Sequence, residues 1–256
     1  MKKKIDYENW DRKEIYELFH GYLFYLTVEI DITEFLETIH KHQWKFYPSI
    51  CYCITKTVNL DERYRYAKVD GQVCVWDHVN THYTLMRKNT DHLFTHQRTG
   101  YQEDFQKFYE AFLKDKKEAE NCSSLYAYQQ KAMDDVHIST MPNTVYTSLS
   151  YAKPNSFTKY GTDNVSYIPF VMIGKYHEEN GRMKMPVTVE FHHAVNDGWH
   201  AENFLPAARR VLQRFSARKG RRNARLERDV SCCWFWRQLF FHFTNDRECG
   251  TLYEIW

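Results

Sequence analysis

The sequence predicts an α/β fold, specifically a two-layer α/β sandwich with a mixed β-sheet. Helical and strand periodicities are interspersed along the chain of 256 residues, and no internal repeat is present. Two dipeptides, Asp70-Gly71 and Asn180-Gly181, each lie between two strand-like runs, which indicates hairpins. Hydrophobic residues form 43% and aromatic residues 17% of the chain, so a sizeable core is possible.

Five helices are expected from capping residues and from apolar residues at helical spacing. Their expected positions are residues 11–20, residues after Asp31 with Phe35, Leu36 and Ile39 on the apolar side, residues from Pro48, residues 105–113 and residues from Trp199. The pattern is strongest at 105–113, where five apolar residues share one face. The last helix should be kinked at Pro206, because proline has no N–H for the interior hydrogen bond.

Strands are expected where β-branched and aromatic residues run between turn residues. Their expected positions are residues 23–29, 64–69, 72–76, 82–87, 145–151, 167–176 and 183–191. The second and third are joined by Asp70-Gly71 and the last two by Asn180-Gly181, since both dipeptides supply the positive φ of a tight turn. Cys51 falls on the apolar side of the third helix and is interpreted as a small core residue.

The charge balance argues against a protein built to coat nucleic acid or an acidic membrane. The chain has 35 Lys and Arg against 33 Asp and Glu, a net charge of +2. Nine of the basic residues lie within residues 209–228, ahead of an aromatic stretch at 234–243. The residues beyond 215 are interpreted as a poorly ordered or loosely docked tail rather than a lipid or nucleic-acid site. No nucleic acid and no membrane are therefore expected as partners.

Cysteine usage and the start of the chain indicate the compartment. The seven cysteines are odd in number and irregular in spacing, unlike a secreted disulfide framework. The basic residues 1–4 run into further charged residues, so no secretory signal is expected, and no apolar run of about 18 residues is long enough to span a membrane. Nine glycines form neither a Rossmann fingerprint nor a Walker motif. The sequence therefore predicts a cytoplasmic globular protein.

The segment EFHHAVNDGWH, residues 190–200, carries the residues best suited to chemistry. It lies where a strand ends and a turn begins, so its side chains can project into a cleft at the edge of the sheet. His193 can serve as a base near neutral pH, because an ordinary imidazole both takes and returns a proton there. Asp197, which glycine follows, is suited to hold the turn rather than to share the proton.

Two other interpretations of this segment stay open on the residues alone. A metal site would use His192, His193 and His200, with Glu190 as a further ligand. Adjacent histidines on a strand point to opposite faces, so the first two cannot easily share an ion, and no metal is expected. Alternatively, the polar residues only close a turn.

The run from His193 to Gly198 has the His-x-x-x-Asp-Gly pattern of acyl-CoA-dependent acyltransferases, and with the preceding His192 it resembles the chloramphenicol acetyltransferase family. Other segments resemble family segments in the same order: WDRKE at 10–14, DITEFL at 31–36, KFYP at 45–48, VWD at 75–77, IGKY at 173–176 and MP at 185–186. The resemblance covers about residues 5–214. It implies a chloramphenicol acetyltransferase-like fold for a domain at 1–215 and leaves 216–256 as an extension that the family lacks.

The same resemblance implies an activity and roles for individual residues. It implies direct transfer of an acetyl group from acetyl-CoA to an acceptor hydroxyl, with His193 as general base and Ser148 as oxyanion donor. It also implies a salt bridge between Asp197 and Arg12 that supports the site. The implied coenzyme-binding residues are Lys175, Tyr176 and Lys45.

The implied acceptor is a small molecule with a hydroxyl group, by default chloramphenicol, whose acetylation would give antibiotic resistance. The implied pocket residues are Tyr22, Phe24, Tyr25 and His92. Segment 19–27 is about three residues shorter than in drug-acetylating members, and the family's usual residues are replaced at Met172, His92 and Asn196. Two alternatives therefore stay open: the same chemistry on another alcohol or amine, and a catalytically weak member that acts as a binding protein. The resemblance also implies a homotrimer.

Overall fold

A computed structural model describes residues 1–88, 92–129, 133–151 and 163–223, with the backbone alone for 218–223. Five α-helices lie in these residues: Lys13–Leu18 (α1), Thr33–Lys41 (α2), Phe46–Asn59 (α3), Phe105–Ala119 (α4) and Gly198–Asn223 (α5). The strands are Lys2–Lys4 (β1), Leu23–Asp31 (β2), Tyr66–Val69 (β3), Gln72–Trp76 (β4), Asn80–Met86 (β5), Phe94–Thr99 (β6), Asp135–Met141 (β7), Val165–Ser166 (β8), Phe170–Gly174 (β9), His177–Glu179 (β10) and Arg182–His192 (β11). None of the helices in this part of the chain is long and apolar enough to cross a bilayer.

The strands form two sheets. The larger has the order β10-β11-β9-β7-β5-β6, with β2 paired to the other side of β11. Strand β7 runs parallel to its neighbours β5 and β9, whereas the other pairs are antiparallel. A smaller antiparallel sheet has the order β1-β4-β3-β8. The predicted α/β class with a mixed sheet is confirmed.

The core lies between the larger sheet and the helices. Helices α2, α3 and α4 contact strands β11, β5 and β6 in turn, and α5 packs on α2 and α3. The apolar face predicted at 105–113 is buried, with Phe108 and Phe112 fully enclosed. Cys51 is 0% exposed and belongs to this core, as predicted.

Both predicted hairpins are present. Asp70 and Gly71 join β3 to β4 with φ angles of 51° and 76°, and Asn180 and Gly181 join β10 to β11 with φ angles of 53° and 72°. Positive φ at both central residues is the backbone of the tight turn whose twist matches that of paired strands. The dipeptide signal therefore identified both turns correctly.

The strand predicted at 145–151 is wrong. The strand in this part of the chain is β7, which ends at Met141, and residues 142–151 contain none. Pro142 has no N–H with which to extend the ladder. The Thr144 carbonyl instead accepts a hydrogen bond from Lys175 N–H at 2.8 Å. Residues 142–151, which we call the Ser148 segment, therefore lie beside the sheet rather than within it.

One helix starts at a different residue than predicted, and another runs through a proline. Helix α3 begins at Phe46 rather than Pro48, because the extended Lys45 forms the cap before it. Helix α5 continues through Pro206 as one helix, and Phe204 and Val211 on either side of the proline are both buried in the core. The helix passes the expected boundary at 215, and residues 224–256 of the expected extension lie outside the described residues.

The four cysteines in the described residues are free thiols. Cys51, Cys53 and Cys74 are buried, and burial raises the pKa of each thiol. Cys122 is partly exposed, and hydrogen bonding to Ser124 lowers its pKa.

Candidate active site

The turn between β11 and α5 presents His193. The carbonyl of His192, the last residue of β11, accepts hydrogen bonds from the N–H groups of Val195 at 3.1 Å and Asn196 at 2.8 Å. The N–H of His193 donates to the carbonyl of Tyr22 at 2.9 Å, which ties the turn to the residue before β2. Val195 and Asn196 are fully buried, so the turn is a fixed part of the structure.

The His193 ring is held between aromatic side chains. It stacks flat on Phe19, with ring centroids 4.0 Å apart and planes 6° apart. The Phe24 ring meets it at a steeper angle, with centroids 5.6 Å apart. The His193 side chain is half-buried, and its Nδ1 is buried without a hydrogen-bond partner among the described residues. Because Nδ1 is enclosed, Nε2 is the ring nitrogen better placed to reach a substrate proton.

Arg12 fastens the turn from the side of α1. Its Nη1 and Nη2 both donate to Oδ2 of Asp197 at 3.1 Å, and its Nε donates to the Ala194 carbonyl at 3.0 Å. Burial opposes ionisation of Asp197, but hydrogen bonds and charge from His200 and Arg12 outweigh it and hold the pKa below the ordinary value. The predicted salt bridge between Arg12 and Asp197 is present, and it spans the backbone that carries His193.

The Ser148 segment is bound at two points to the strands beside His193. The Tyr146 hydroxyl donates to the Met172 carbonyl of β9 at 2.8 Å. The Tyr25 hydroxyl of β2 lies 2.8 Å from the Tyr151 carbonyl. Ser148 itself is exposed, and no hydrogen bond joins it to His193 in the described part of the chain. Within one chain, the predicted base His193 and the predicted oxyanion donor Ser148 therefore lie on neighbouring segments but are not hydrogen-bonded to each other.

The predicted coenzyme residues come together where β9 ends. Tyr176 packs against Phe46, the first residue of α3, with ring centroids 5.4 Å apart. Lys45 precedes Phe46 and Lys175 precedes Tyr176, and both lysines are exposed. Two ammonium groups beside an aromatic surface are suited to phosphate groups next to an apolar arm. This cluster contacts the Ser148 segment through the bond between Lys175 and Thr144.

Gly174→Ala is expected to destabilise the protein by about 1–3 kcal/mol, the range for overpacking a filled site. An added Cβ would lie 2.8 Å from the Thr144 carbonyl oxygen and equally close to side-chain atoms of Pro186 and Tyr146. Urea unfolding measures the loss. Gly100→Ala is the matched control, because its Cβ would meet nothing closer than 4.0 Å. Equal stability of the two variants would contradict the close approach seen here.

Three of the four predicted acceptor residues lie near His193. Tyr22 and Phe24 contact it directly, as described above. Tyr25 lies opposite Glu190 in the pairing of β2 with β11, and its hydroxyl donates to the Glu190 carboxylate at 2.5 Å. His92 lies between β5 and β6, at the other edge of the sheet and four strands from β11. A single chain therefore does not bring His92 to the site.

The histidines of the metal interpretation face different elements. His193 faces the end of α1, His192 packs edge-on against Tyr167 with centroids 5.2 Å apart, and Nδ1 of His200 lies 2.9 Å from Oδ1 of Asp197. Within the described residues, no three His, Cys, Asp or Glu side chains are arranged to hold a metal ion.

Two neighbours of the site were not predicted as site residues. Phe19 has a place on the apolar side of the first helix, but its helical spacing does not show that its ring covers His193. His200 entered only as a possible metal ligand, although its spacing from Asp197 across the first turn of α5 is a signal for contact.

Comparisons with known proteins agree with the predicted family and fold. A family profile described as chloramphenicol acetyltransferase matches residues 2–208. The chain is 30% identical over 207 residues to a chloramphenicol acetyltransferase of Proteus mirabilis, across 78% of this chain and 90% of that protein. It is 31% identical over 204 residues to one of Staphylococcus aureus, across 78% and 91%. A solved chloramphenicol acetyltransferase structure shares the fold, with a TM-score of 0.66 at 21% identity over 83% of this chain and 100% of that one.

A mixed sheet with a His-x-x-x-Asp-Gly turn at the end of its long strand, matched over most of the chain by acyltransferases, defines an acyltransferase. The protein belongs to the chloramphenicol acetyltransferase family. Members of this family use acetyl-CoA as co-substrate and act on a small-molecule acceptor. The resemblance of residues 5–214 is therefore confirmed, with nearly the same limits.

Proposed function

We propose that the protein transfers the acetyl group of acetyl-CoA to a hydroxyl of a small molecule, with chloramphenicol as the first acceptor to test. The single observation that carries the proposal is the fixed turn, in which Arg12 and Asp197 hold the backbone that presents the half-buried ring of His193. The names of the relatives support the choice of acceptor. Acetylation of chloramphenicol in the cytoplasm would give antibiotic resistance.

In the proposed reaction, Nε2 of His193 takes the proton of the acceptor hydroxyl while that oxygen attacks the thioester carbonyl. A C–O bond forms, and the carbonyl oxygen becomes an oxyanion, which the Ser148 hydroxyl stabilises by donating a hydrogen bond. Collapse of this intermediate breaks the C–S bond. The leaving thiolate takes back the proton from His193, so that an acetyl ester and free coenzyme A result.

The two exposed lysines at the start of α3 and the end of β9, Lys45 and Lys175, would bind the phosphates of the coenzyme. Tyr176 would pack beside them. The Ser148 segment contacts this cluster through Thr144. This connection supports a path along which the coenzyme reaches from the lysines towards the oxyanion position.

We further propose that the active form is a homotrimer whose site is completed between copies. Two features of one chain support this proposal: Ser148 makes no hydrogen bond to His193 in the described residues, and His92 lies at the opposite edge of the sheet. Light scattering after gel filtration should give about three times the 31.0 kDa of one chain. A monomer with full activity would contradict the proposal.

Ser148→Ala is expected to lower kcat by about 100-fold, the usual loss when one oxyanion donor is removed. The KM for the acceptor should change little, because the bond forms as charge develops on the thioester oxygen. Steady-state kinetics measure both constants. Ser150→Ala, an exposed serine in the same segment, is the matched control and should keep the activity of the unmodified protein. If both variants lose activity equally, the hydroxyl at 148 is not the donor.

The proposal is tested by mixing purified protein with acetyl-CoA and chloramphenicol and following thiol release, beside His193→Ala. Release that depends on both chloramphenicol and His193 supports it. The shortened segment at 19–27 and the Glu190 carboxylate beside Tyr25 favour a second candidate, the same transfer to another alcohol or an amine. Release with such an acceptor but not with chloramphenicol would establish this candidate. Coenzyme binding without turnover on a broad panel would instead leave a binding protein.

A further inference from the structure

The Asp197 carboxylate is held on both of its oxygens. Both terminal nitrogens of Arg12 bind the same atom, Oδ2. The other oxygen, Oδ1, lies 2.9 Å from Nδ1 of His200 and accepts the Trp199 N–H at 3.1 Å. Because Arg12 binds a single oxygen, it does not by itself fix the plane of the carboxylate. The groups on Oδ1 do so.

His200 is well placed for this contact. It lies in the first turn of α5 and is 7% exposed. Its backbone carbonyl accepts the Tyr64 hydroxyl at 2.7 Å, which anchors this part of the helix to the core. The ring of its neighbour Trp199 is exposed and lies under the guanidinium of Arg63, with Cζ 4.6 Å from the ring centroid, whereas His200 is buried. The backbone of His200 is therefore anchored beside Asp197, and its buried side chain has little room to turn into solvent.

The contact fixes which nitrogen of His200 carries a proton. A carboxylate only accepts hydrogen bonds, so a separation of 2.9 Å from Oδ1 requires Nδ1–H. The Asp197 N–H points at Nδ1 from 3.2 Å, a contact in which Nδ1 would accept, but its lone pair would then face that of Oδ1 at the shorter distance of 2.9 Å. We infer from the shorter contact that Nδ1 carries the proton.

We propose that His200 is a positioning residue for acetyl transfer: its Nδ1–H holds Oδ1 of Asp197 while Arg12 holds Oδ2, and together they fix the turn that presents His193. The inference rests on the proposed function. His200 does not touch the reacting atoms. It acts through Asp197 and through the bonds of Arg12 to the backbone of Ala194.

The test compares His200→Leu with His200→Asn. We expect His200→Leu to lower kcat by about tenfold, the scale of loss for a base displaced by a fraction of an ångström. The KM for acetyl-CoA should stay within about twofold, because the predicted coenzyme residues lie at the end of β9 and the start of α3. His200→Asn should recover most of kcat, since the asparagine amide can donate from nearly the position of Nδ1.

A third variant separates positioning from general loss of stability. Thr55→Val removes a buried 2.7 Å hydrogen bond between α3 and β5, far from the turn, and should lower the melting temperature without changing kcat of the folded protein. The proposal is overturned if His200→Leu keeps the kcat of the unmodified protein. It is equally overturned if the Leu and Asn variants lose the same kcat, or if Thr55→Val reproduces the loss at a similar melting temperature.

A readout without turnover keeps this inference distinct from the proposed function. The ¹⁵N NMR spectrum of the full-length protein, with the His200 signals assigned by their absence in His200→Asn, should show a proton on Nδ1. A ring protonated only on Nε2 would overturn the contact even if the enzyme is active. Absence of turnover in the unmodified protein together with the Nδ1–H signal would instead reject the proposed function and retain the contact.

Discussion

His193→Ala is expected to lower kcat for acetyl transfer by about 1000-fold, within the range of roughly 10² to 10⁴ that a positioned base supplies. The variant keeps the fold, because the backbone of residue 193 is held by Tyr22 and Arg12 rather than by its own ring. The KM for acetyl-CoA should be nearly unchanged, since the imidazole acts on the acceptor proton. Steady-state kinetics with both substrates varied measure the effect.

The neighbouring histidine supplies the matched control. His192 precedes the proposed base, His193, but its ring packs against Tyr167 on a different side of the chain. His192→Ala should therefore lose far less kcat than His193→Ala, even if it loses some stability. A larger loss of kcat in His192→Ala than in His193→Ala would show that the assignment of the base to His193 is wrong. Added imidazole should restore part of the activity of His193→Ala, because the vacated space faces the aromatic ring of Phe19.

Arg12→Leu is expected to have the largest effect on stability, about 3 kcal/mol, because it leaves a partly buried carboxylate without its cation. The figure lies at the low end for buried pairs, since the side chain of Asp197 is 32% exposed whereas that of Arg12 is 13% exposed. Activity should fall as well, because the turn loses its bonds to Ala194 and Asp197. Urea unfolding and kinetics measure the two losses.

Two further measurements test the origin of that loss. In a double-mutant cycle, Arg12→Leu and Asp197→Asn together should cost less than the sum of the single variants, because both remove one interaction. Lys13→Ala, next in sequence but paired with the exposed Glu8, should leave stability unchanged within error. Additive losses, or an equal loss at Lys13, would contradict a specific pair.

The same pair predicts how stability depends on pH. The folded state holds the pKa of Asp197 below its ordinary value of 3.8, so the unfolded chain binds the proton more readily. The contribution of the pair is complete above that ordinary value and is lost as the pH falls through the lower folded value. Asp197→Asn should flatten this part of the acid unfolding curve.

Local sequence signals correctly predicted the elements that carry distinctive turn residues or a strong apolar pattern. The two dipeptides with glycine gave both hairpins, and the aromatic stripe at 105–113 gave α4. Where the local signal was ambiguous, long-range contacts determined whether a segment formed a strand. The run at 145–151 has β-forming residues, but Pro142 ends the ladder and Tyr146 bonds to Met172 in another strand. Met172 is 26 residues from Tyr146 along the chain, so a local pattern does not reveal this contact.

The site residues also fall into two groups, those identified from the sequence and those that only the fold reveals. The turn from His193 to Asp197 and its partner Arg12 were identified through resemblance, and the pair is present. Phe19 and His200 are ordinary helix residues by spacing, and only the fold shows that Phe19 stacks on His193 and that His200 contacts the Asp197 carboxylate. His92 matches an acceptor position through the resemblance, yet it lies four strands from β11, because a match along the chain does not report distance in the fold.

The location of the cysteines affects how coenzyme release should be followed with a sulfhydryl dye. Among the described cysteines, Cys122 is the one that is not buried, so it is the one that we expect a sulfhydryl dye to reach in the native protein. Cys51 and Cys53 are sealed from the reagent by the core. Pre-capping the accessible sulfhydryls before acetyl-CoA is added therefore removes background signal while leaving the interior chemically untouched.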